Sequence, residues 1–342
     1  MITTFGETML RISPSNPAER ISQAINFRIE PGGSESNVAI ALANLGLKTR
    51  FVTALPDNTL SQKVIQQLKQ FDVDTSQIIL QGDRVGTYWT ETGIGPRSSF
   101  VIYDRESSAF SQTSFEAYSW DKILSESTWL HFSGISPAVS KNIASLLKQA
   151  ISKCNCPYSV DLNYRGKLWK WAGKDKATIN QVMTELCANA TLIAGNETDF
   201  LEVFNISNQN NNDDENYQEV AKQCFTKFDK AKYIAISNRK SLSASQNEWN
   251  GYLFVRNDKL FGYKGMTYQL DNIQDRVGTG DSFVAGIIYG LILGDKYNYQ
   301  EVVDFAVTLS ALNHTTKGDA SRFSVDDVEK AILSKGEGRI VR

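Results

Sequence analysis

The chain has 342 residues, 41% of them apolar and 22% charged, with a formal net charge of -2. That is room for one large domain with a smaller appendage. No block of Lys or Arg stands out, which argues against nucleic acid as a partner. The longest apolar run, 283–293, is about half a membrane span and is broken by Gly286 and Gly290. No basic region followed by an apolar stretch opens the sequence, so a cytoplasmic protein is expected. Cys154, Cys156, Cys187 and Cys224 are scattered, the first two too close for an easy bridge. With only two His residues no zinc set can be assembled.

In chain order, residues 2–5 read as a strand. Residues 8–30, with Pro14 and Pro17, show little helical periodicity. A small-residue helix over 36–45, a strand over 51–54 and a helix over 60–71 follow. Residues 85–110 hold two alternating segments, 87–92 and 99–103, around Gly93 and Gly95, which read as antiparallel strands. Apolar runs at 129–132, 158–162, 191–194 and 233–236 then alternate with helical spacing at 142–152, 179–186 and 217–228. The polar stretch 208–215 reads as a solvated loop. Two late helices, 282–293 and 299–316, close the series. Strands alternating with helices of this length imply an α/β body with a parallel sheet covered on both faces. Residues 8–30 and 85–110 are expected to form a β lid on it.

The strongest local signal is Asp275-Arg276-Val277-Gly278-Thr279-Gly280-Asp281-Ser282-Phe283. Glycines one residue apart let backbone amides point to one side of a turn, and the helix start adds unpaired N–H groups and a positive dipole end. Together they suit a phosphate. An ionised Asp281 placed there can take a proton from a hydroxyl, although an Asp that only caps the helix explains the same residues. No Gly-x-x-x-x-Gly-Lys-Ser/Thr run occurs, and no Gly-x-Gly-x-x-Gly follows the first strand. Near the other end, Pro31-Gly32-Gly33-Ser34-Glu35-Ser36-Asn37 precedes a helix. Paired glycines allow close backbone approach to a ligand, and Asn37 offers donor and acceptor to sugar hydroxyls. A tight turn with Ser34 or Ser36 as N-cap is the alternative.

These two motifs, in this order, resemble the PfkB/ribokinase family of carbohydrate kinases over nearly the whole chain. The resemblance implies a single kinase domain over 1–342 with a ribokinase-like three-layer α/β/α sandwich and a β lid over the sugar. It further implies ATP with Mg²⁺, Asp281 as base, and the amides of Val277, Gly278, Thr279 and Gly280 as the hole for phosphate charge. Gly6 to Arg11, Tyr103 to Arg105, Ser108 to Phe110, Asp161 to Arg165 and Arg276 are similar to the subgroup that phosphorylates 2-keto-3-deoxygluconate. Carried over by position, Gly33, Ser34, Asn37, Tyr88, Tyr103, Arg105, Arg165 and Asp319 would line the sugar pocket. Two guanidinium groups there suit a sugar acid's carboxylate, and ion pairing of these arginines with Asp104 or Asp161 is the structural alternative.

On the nucleotide side the resemblance points to Asn163, Asn196, Ser237, Arg239, Lys240, Val277, Gly278 and Gly280. Glu197 or Asp199 would meet the metal through water, and Asn196 can equally cap a helix. After the run 233–236 the family's Gly-x-x-Gly turn is replaced by Ser237-Asn238-Arg239-Lys240-Ser241, and Val307 stands where many members have Asn near the adenine. The Lys317-Gly318-Asp319 turn matches the family pattern, with a monovalent cation beside it as a further implication. The lid face suggests a homo-oligomer, a dimer or higher. A kinase for a neutral ketose such as fructose or for another sugar acid, and a sugar-binding relative without transfer activity, are the competing readings.

Overall fold

In the computed structural model, which describes residues 1–207 and 213–334, the short apolar runs pair into sheets and helices pack over them. The strands in chain order begin with β1 (Ile2–Phe5), β2 (Met9–Pro14), β3 (Phe27–Gly32), β4 (Thr49–Leu55), β5 (Ile78–Leu80), β6 (Thr87–Glu91) and β7 (Phe100–Asp104). They continue with β8 (Trp129–Ser133), β9 (Tyr158–Asp161), β10 (Leu192–Asn196), β11 (Tyr233–Ser241), β12 (Asn247–Arg256), β13 (Leu260–Lys264) and β14 (Tyr268–Leu270). The helices begin with α1 (Ser34–Asn44), α2 (Thr59–Gln70), α3 (Ala109–Gln112), α4 (Trp120–Ser125), α5 (Ile135–Val139) and α6 (Lys141–Ser152). After them come α7 (Lys176–Cys187), α8 (Glu197–Phe204), α9 (Asp213–Lys227), α10 (Thr279–Leu293), α11 (Tyr299–Asn313) and α12 (Val325–Leu333).

The large sheet has the order β13-β12-β11-β10-β9-β8-β1-β4-β5, with β14 also paired to β12. From β11 to β5 every pairing is parallel, and the β11–β12–β13 edge is antiparallel. β1, β4, β8 and β9 are buried at every residue, as parallel strands covered on both faces must be. α10 is apolar around most of its circumference because it lies between that sheet and its neighbours. A Cβ on Gly286 would come within 2.5 Å of Ala306 Cα, so the glycine lets α10 and α11 touch.

A second, four-stranded sheet, β3-β2-β6-β7, forms the expected lid. It is not wholly antiparallel: β2 pairs with β6 in parallel, because the chain crosses the body between them. The lid also ends at Asp104. Residues 109–112 form α3, which packs on β4 in the body.

Of the solvated loop expected at 208–215, residues 208–212 lie outside the described residues, and α9 begins at Asp213. Residues 335–342 lie outside them too. Ser237–Ser241 is not a turn. β11 runs on through it, held in register by β12 from Ser237↔Gly251 to Ser241↔Asn247.

Candidate functional site

The sequence starts α10 with Gly278, whose φ of 78° lies in the left-handed region and whose missing Cβ would fall 1.7 Å from Asp319 O. Two loops therefore meet backbone to backbone at the helix N-terminus. Asp275 fixes the approach: its Oδ1 accepts from the amides of Arg276 at 2.9 Å and Val277 at 3.1 Å. Val277 is thus removed from the expected anion hole, since its N–H is already bonded. The hole reduces to Gly278, Thr279 and Gly280. A Cβ on Gly280 would meet nothing within 4 Å, so this residue faces open cavity.

Asp281 is the third residue of α10 and does not cap it. Its Oδ1 accepts from Ser34 Oγ at 2.6 Å and its Oδ2 from Asn37 Nδ2 at 2.7 Å. Burial raises its pKa, the two hydrogen bonds oppose the rise, and the net result is about 6. A carboxylate of this kind can take a proton near neutral pH. The N-cap of α1 is Gly33, with no side-chain cap, so neither Ser34 nor Ser36 caps that helix. Ser34 instead serves Asp281, while Ser36 Oγ donates to Gly33 O.

One cavity of about 700 Å³ gathers every site residue expected from the sequence except Lys240. Lys240 is exposed, opposite Glu248 on β12; it follows Arg239 on a pleated strand and so points to the other face. Val307 is fully buried in the body core and does not reach the cavity.

Arg105 pairs neither with Asp104 nor with Asp161. Its Nε and Nη2 both bond the buried Glu7, which also receives Ser108 Oγ. Arg165 is exposed on the cavity wall, with Nη1 on its neighbour's carbonyl, Tyr164 O, at 2.9 Å. Arg165, Arg239 and Arg276 line the cavity without a carboxylate within 4.0 Å among the described residues. Burial, then Arg165, lowers the pKa of Arg239; burial, then Arg239, lowers that of Arg276. Clustered cations with no direct ion pair attract an anionic ligand.

Carboxylates occupy the floor. Burial, then Asp199 and Asp281, holds Asp161 well above the usual carboxylate range. Asn163, at φ 37°, donates from Nδ2 to Asp161 Oδ2 and to Ser34 Oγ, each at 3.2 Å. Asp199 accepts the amide of Tyr164 on one oxygen and that of Asn196 on the other, both at 2.9 Å, while Asn196 caps α8. Glu197 Oε1 accepts from Asn216 Nδ2 at 2.6 Å. No group of three acidic, His or Cys side chains forms a metal cage among the described residues. Glu197 and Asp199 bring carboxylate oxygens to the cavity wall, the donor type that suits a hard divalent cation.

Glu7, Asp161 and Trp249 also line the cavity, and sequence reasoning gave them no role there. Asp161 was within reach, two residues ahead of Asn163. Glu7 carried a signal only through the segment Gly6 to Arg11. The polar strand that carries Trp249 showed none.

A helix N-terminus open to anions beside a buried carboxylate, under a β lid, is the layout of a phosphoryl-transfer site. The structure of 2-dehydro-3-deoxygluconokinase from Thermotoga maritima matches the chain with TM-score 0.91 and 37% identity, over 97% of this chain and 99% of that one. The 2-dehydro-3-deoxygalactonokinase of Haloferax volcanii is 27% identical over 100% of this chain and 99% of its own length. The 2-dehydro-3-deoxygluconokinase of Bacillus subtilis is 25% identical over 92% and 90%. The chain belongs to the pfkB family of carbohydrate kinases, whose model matches residues 1–325.

Proposed function

We propose that this kinase transfers the γ-phosphoryl group of ATP to the terminal hydroxyl of 2-keto-3-deoxygluconate. The observation that carries the mechanism is the Asp281 carboxylate, held by Ser34 and Asn37 beside the first-turn amides of α10. Asp281 removes the proton of the acceptor hydroxyl, and the amides of Gly278, Thr279 and Gly280 take up charge as it develops on the phosphoryl oxygens. Asn163, Asn196, Ser237 and Arg239 hold the nucleotide, with the cations at 239 and 276 standing where the Gly-x-x-Gly turn is missing. Glu197 or Asp199 would hold Mg²⁺ through water. When bound, ATP·Mg²⁺ supplies the phosphoryl group and shields its charge.

Gly33, Tyr88, Tyr103 and Asp319 form the sugar side, and Arg105 and Arg165 receive the carboxylate. The lid excludes water. A cytoplasmic homodimer formed through the lid completes the reading, supported by Ile29, Phe100 and Ile102, which leave 44–54% of their surface exposed there. No helix among the described residues is long and apolar enough to cross a membrane.

One observation favours a second reading. Glu7 already neutralises Arg105, which leaves Arg165 as the free guanidinium for a carboxylate and makes a neutral ketose such as fructose the competing acceptor. ADP release with 2-keto-3-deoxygluconate, its galactonate epimer and fructose separates them. The sugar acids should show the higher kcat/KM. A higher value for fructose would reassign both arginines.

A further inference from the structure

The resemblance to this family implies a monovalent cation beside Lys317-Gly318-Asp319, and the groups present there do not fit one. The acidic groups at this turn are Asp275 and Asp319, and a cation of the chain already stands between them. Arg11, on lid strand β2, places Nη1 at 2.7 Å from Asp275 Oδ2 and 2.5 Å from Asp319 Oδ1. Its Nε donates to Thr90 on β6 at 3.1 Å. The remaining oxygens are also taken. Asp319 Oδ2 accepts from Tyr88 Oη, and Asp275 Oδ1 from the amides of Arg276 and Val277. Gly318 N lies 3.3 Å from Asp275 Oδ2.

A metal ion here would compete with a guanidinium for the same oxygens and add a second positive charge in a buried place. The adjoining space, about 20 Å³, is lined by Arg11, Arg28 and Lys317, while its two carboxylates, Glu30 and Asp275, already have arginine partners. That lining repels a cation.

The position matters for catalysis because of what each carboxylate holds. Asp275 shapes the turn that precedes the anion hole, and the backbone of Asp319 abuts Gly278. Arg11 is 5% exposed and spans from the lid to both loops. We propose that Arg11 is a positioning residue, a built-in cation that fixes the phosphate-binding turn from the lid side and makes turnover independent of monovalent metal ions. This rests on the kinase reading above. Lid and anion hole then share one charged joint, so the turn has its working shape only with the lid strands in place.

The test uses the full-length protein and measures ADP release at saturating sugar acid and ATP in tetramethylammonium buffers. Adding potassium or sodium should change kcat by less than about twofold, and activation beyond about fivefold overturns the proposal. No ADP release under any of these conditions would instead count against the kinase reading. Arg11→Met should lower kcat by roughly 30-fold or more with a smaller change in sugar KM, and added guanidinium ion should restore part of the loss. A kcat within about threefold of the parent overturns the proposal, as does a defect confined to KM. Should Arg11→Met fail to fold by circular dichroism, Arg11→Lys takes its place. A single ammonium cannot meet Asp275, Asp319 and Thr90 together, so kcat should fall about tenfold, and an unchanged kcat overturns the proposal.

Discussion

Asn37 Nδ2 donates to Asp281 Oδ2 across 2.7 Å, joining residues 244 positions apart in the chain. The bond ties the first helix of the body to the start of α10 and aims the carboxylate at the cavity, with Ser34 on the other oxygen. It leaves Asp281 one role that a neutral isostere cannot fill. Asp281→Asn should lower kcat by about 10⁴-fold or more, while calorimetry shows sugar binding within roughly threefold of the parent. Retained turnover would remove Asp281 as the base.

Gly278 and Gly280 should respond differently to one added methyl. At Gly278 the Cβ collides with Asp319 O and the φ of 78° is unfavourable, so Gly278→Ala should lose stability and activity together. At Gly280 the same carbon meets no protein atom within 4 Å. Gly280→Ala should melt within a few degrees of the parent and lose turnover because the methyl enters the space for phosphate. Thermal melts beside kcat for both variants check this.

Activity and stability should move in opposite directions with pH. With Asp281 near 6, kcat/KM should fall about tenfold for each pH unit below that value and level off above it. Burial also lifts Glu35 to about 7, despite three donors from Ser133 and Ser136, and raises Asp161 and Asp319. Carboxyls whose folded pKa exceeds the unfolded one favour the folded state at low pH, and that contribution is lost as pH rises through the folded values. Burial lowers His131 to about 3 and His314 to about 4, and these gain stability as pH rises past 6.5. The carboxyl loss is thus partly offset, and the melting temperature should drop by roughly 2–6 °C between pH 6 and pH 8. A melting temperature that rises over that interval would contradict the burial of these groups.

The two arginines expected to meet the carboxylate should separate by stability. Arg105→Ala leaves Glu7 buried without its partner and should cost about 3–5 kcal/mol in denaturant unfolding. Arg165→Ala removes an exposed side chain with no ion pair, so stability should stay within about 0.5 kcal/mol. Its effect should appear in the KM for the sugar acid, raised roughly 10- to 100-fold, with fructose unaffected.

Local chemistry was readable from the sequence and distant pairing was not. The glycine-rich turn declares itself because two glycines and a helix start are neighbours in the chain. The apolar runs behind β1, β4, β8 and β9 declare themselves because burial on both faces demands them. β12 was hidden: Asn247, Glu248, Asn250 and Gly251 do not read as a strand, and the segment extends only because β11, β13 and β14 flank it. Ser237–Ser241 looked like a turn for the same reason. The Arg11–Asp319 pair spans 308 positions, and no period or motif announces which carboxylate an arginine will meet. The Asp275 contacts that take Val277 out of the anion hole are set by the same folded loop geometry.

The place of β1 in the sheet sets an order of events during synthesis. It lies between β4 and β8, so its two flanks are closed by segments ending at Leu55 and Ser133. The strand is made before either neighbour, and a chain cut before residue 129 carries one open edge of a strand that is buried at every position in the finished molecule. Such fragments should associate with one another rather than persist as partial domains. Because Asp281 is made later still, phosphoryl transfer should begin only once nearly the whole body has been assembled.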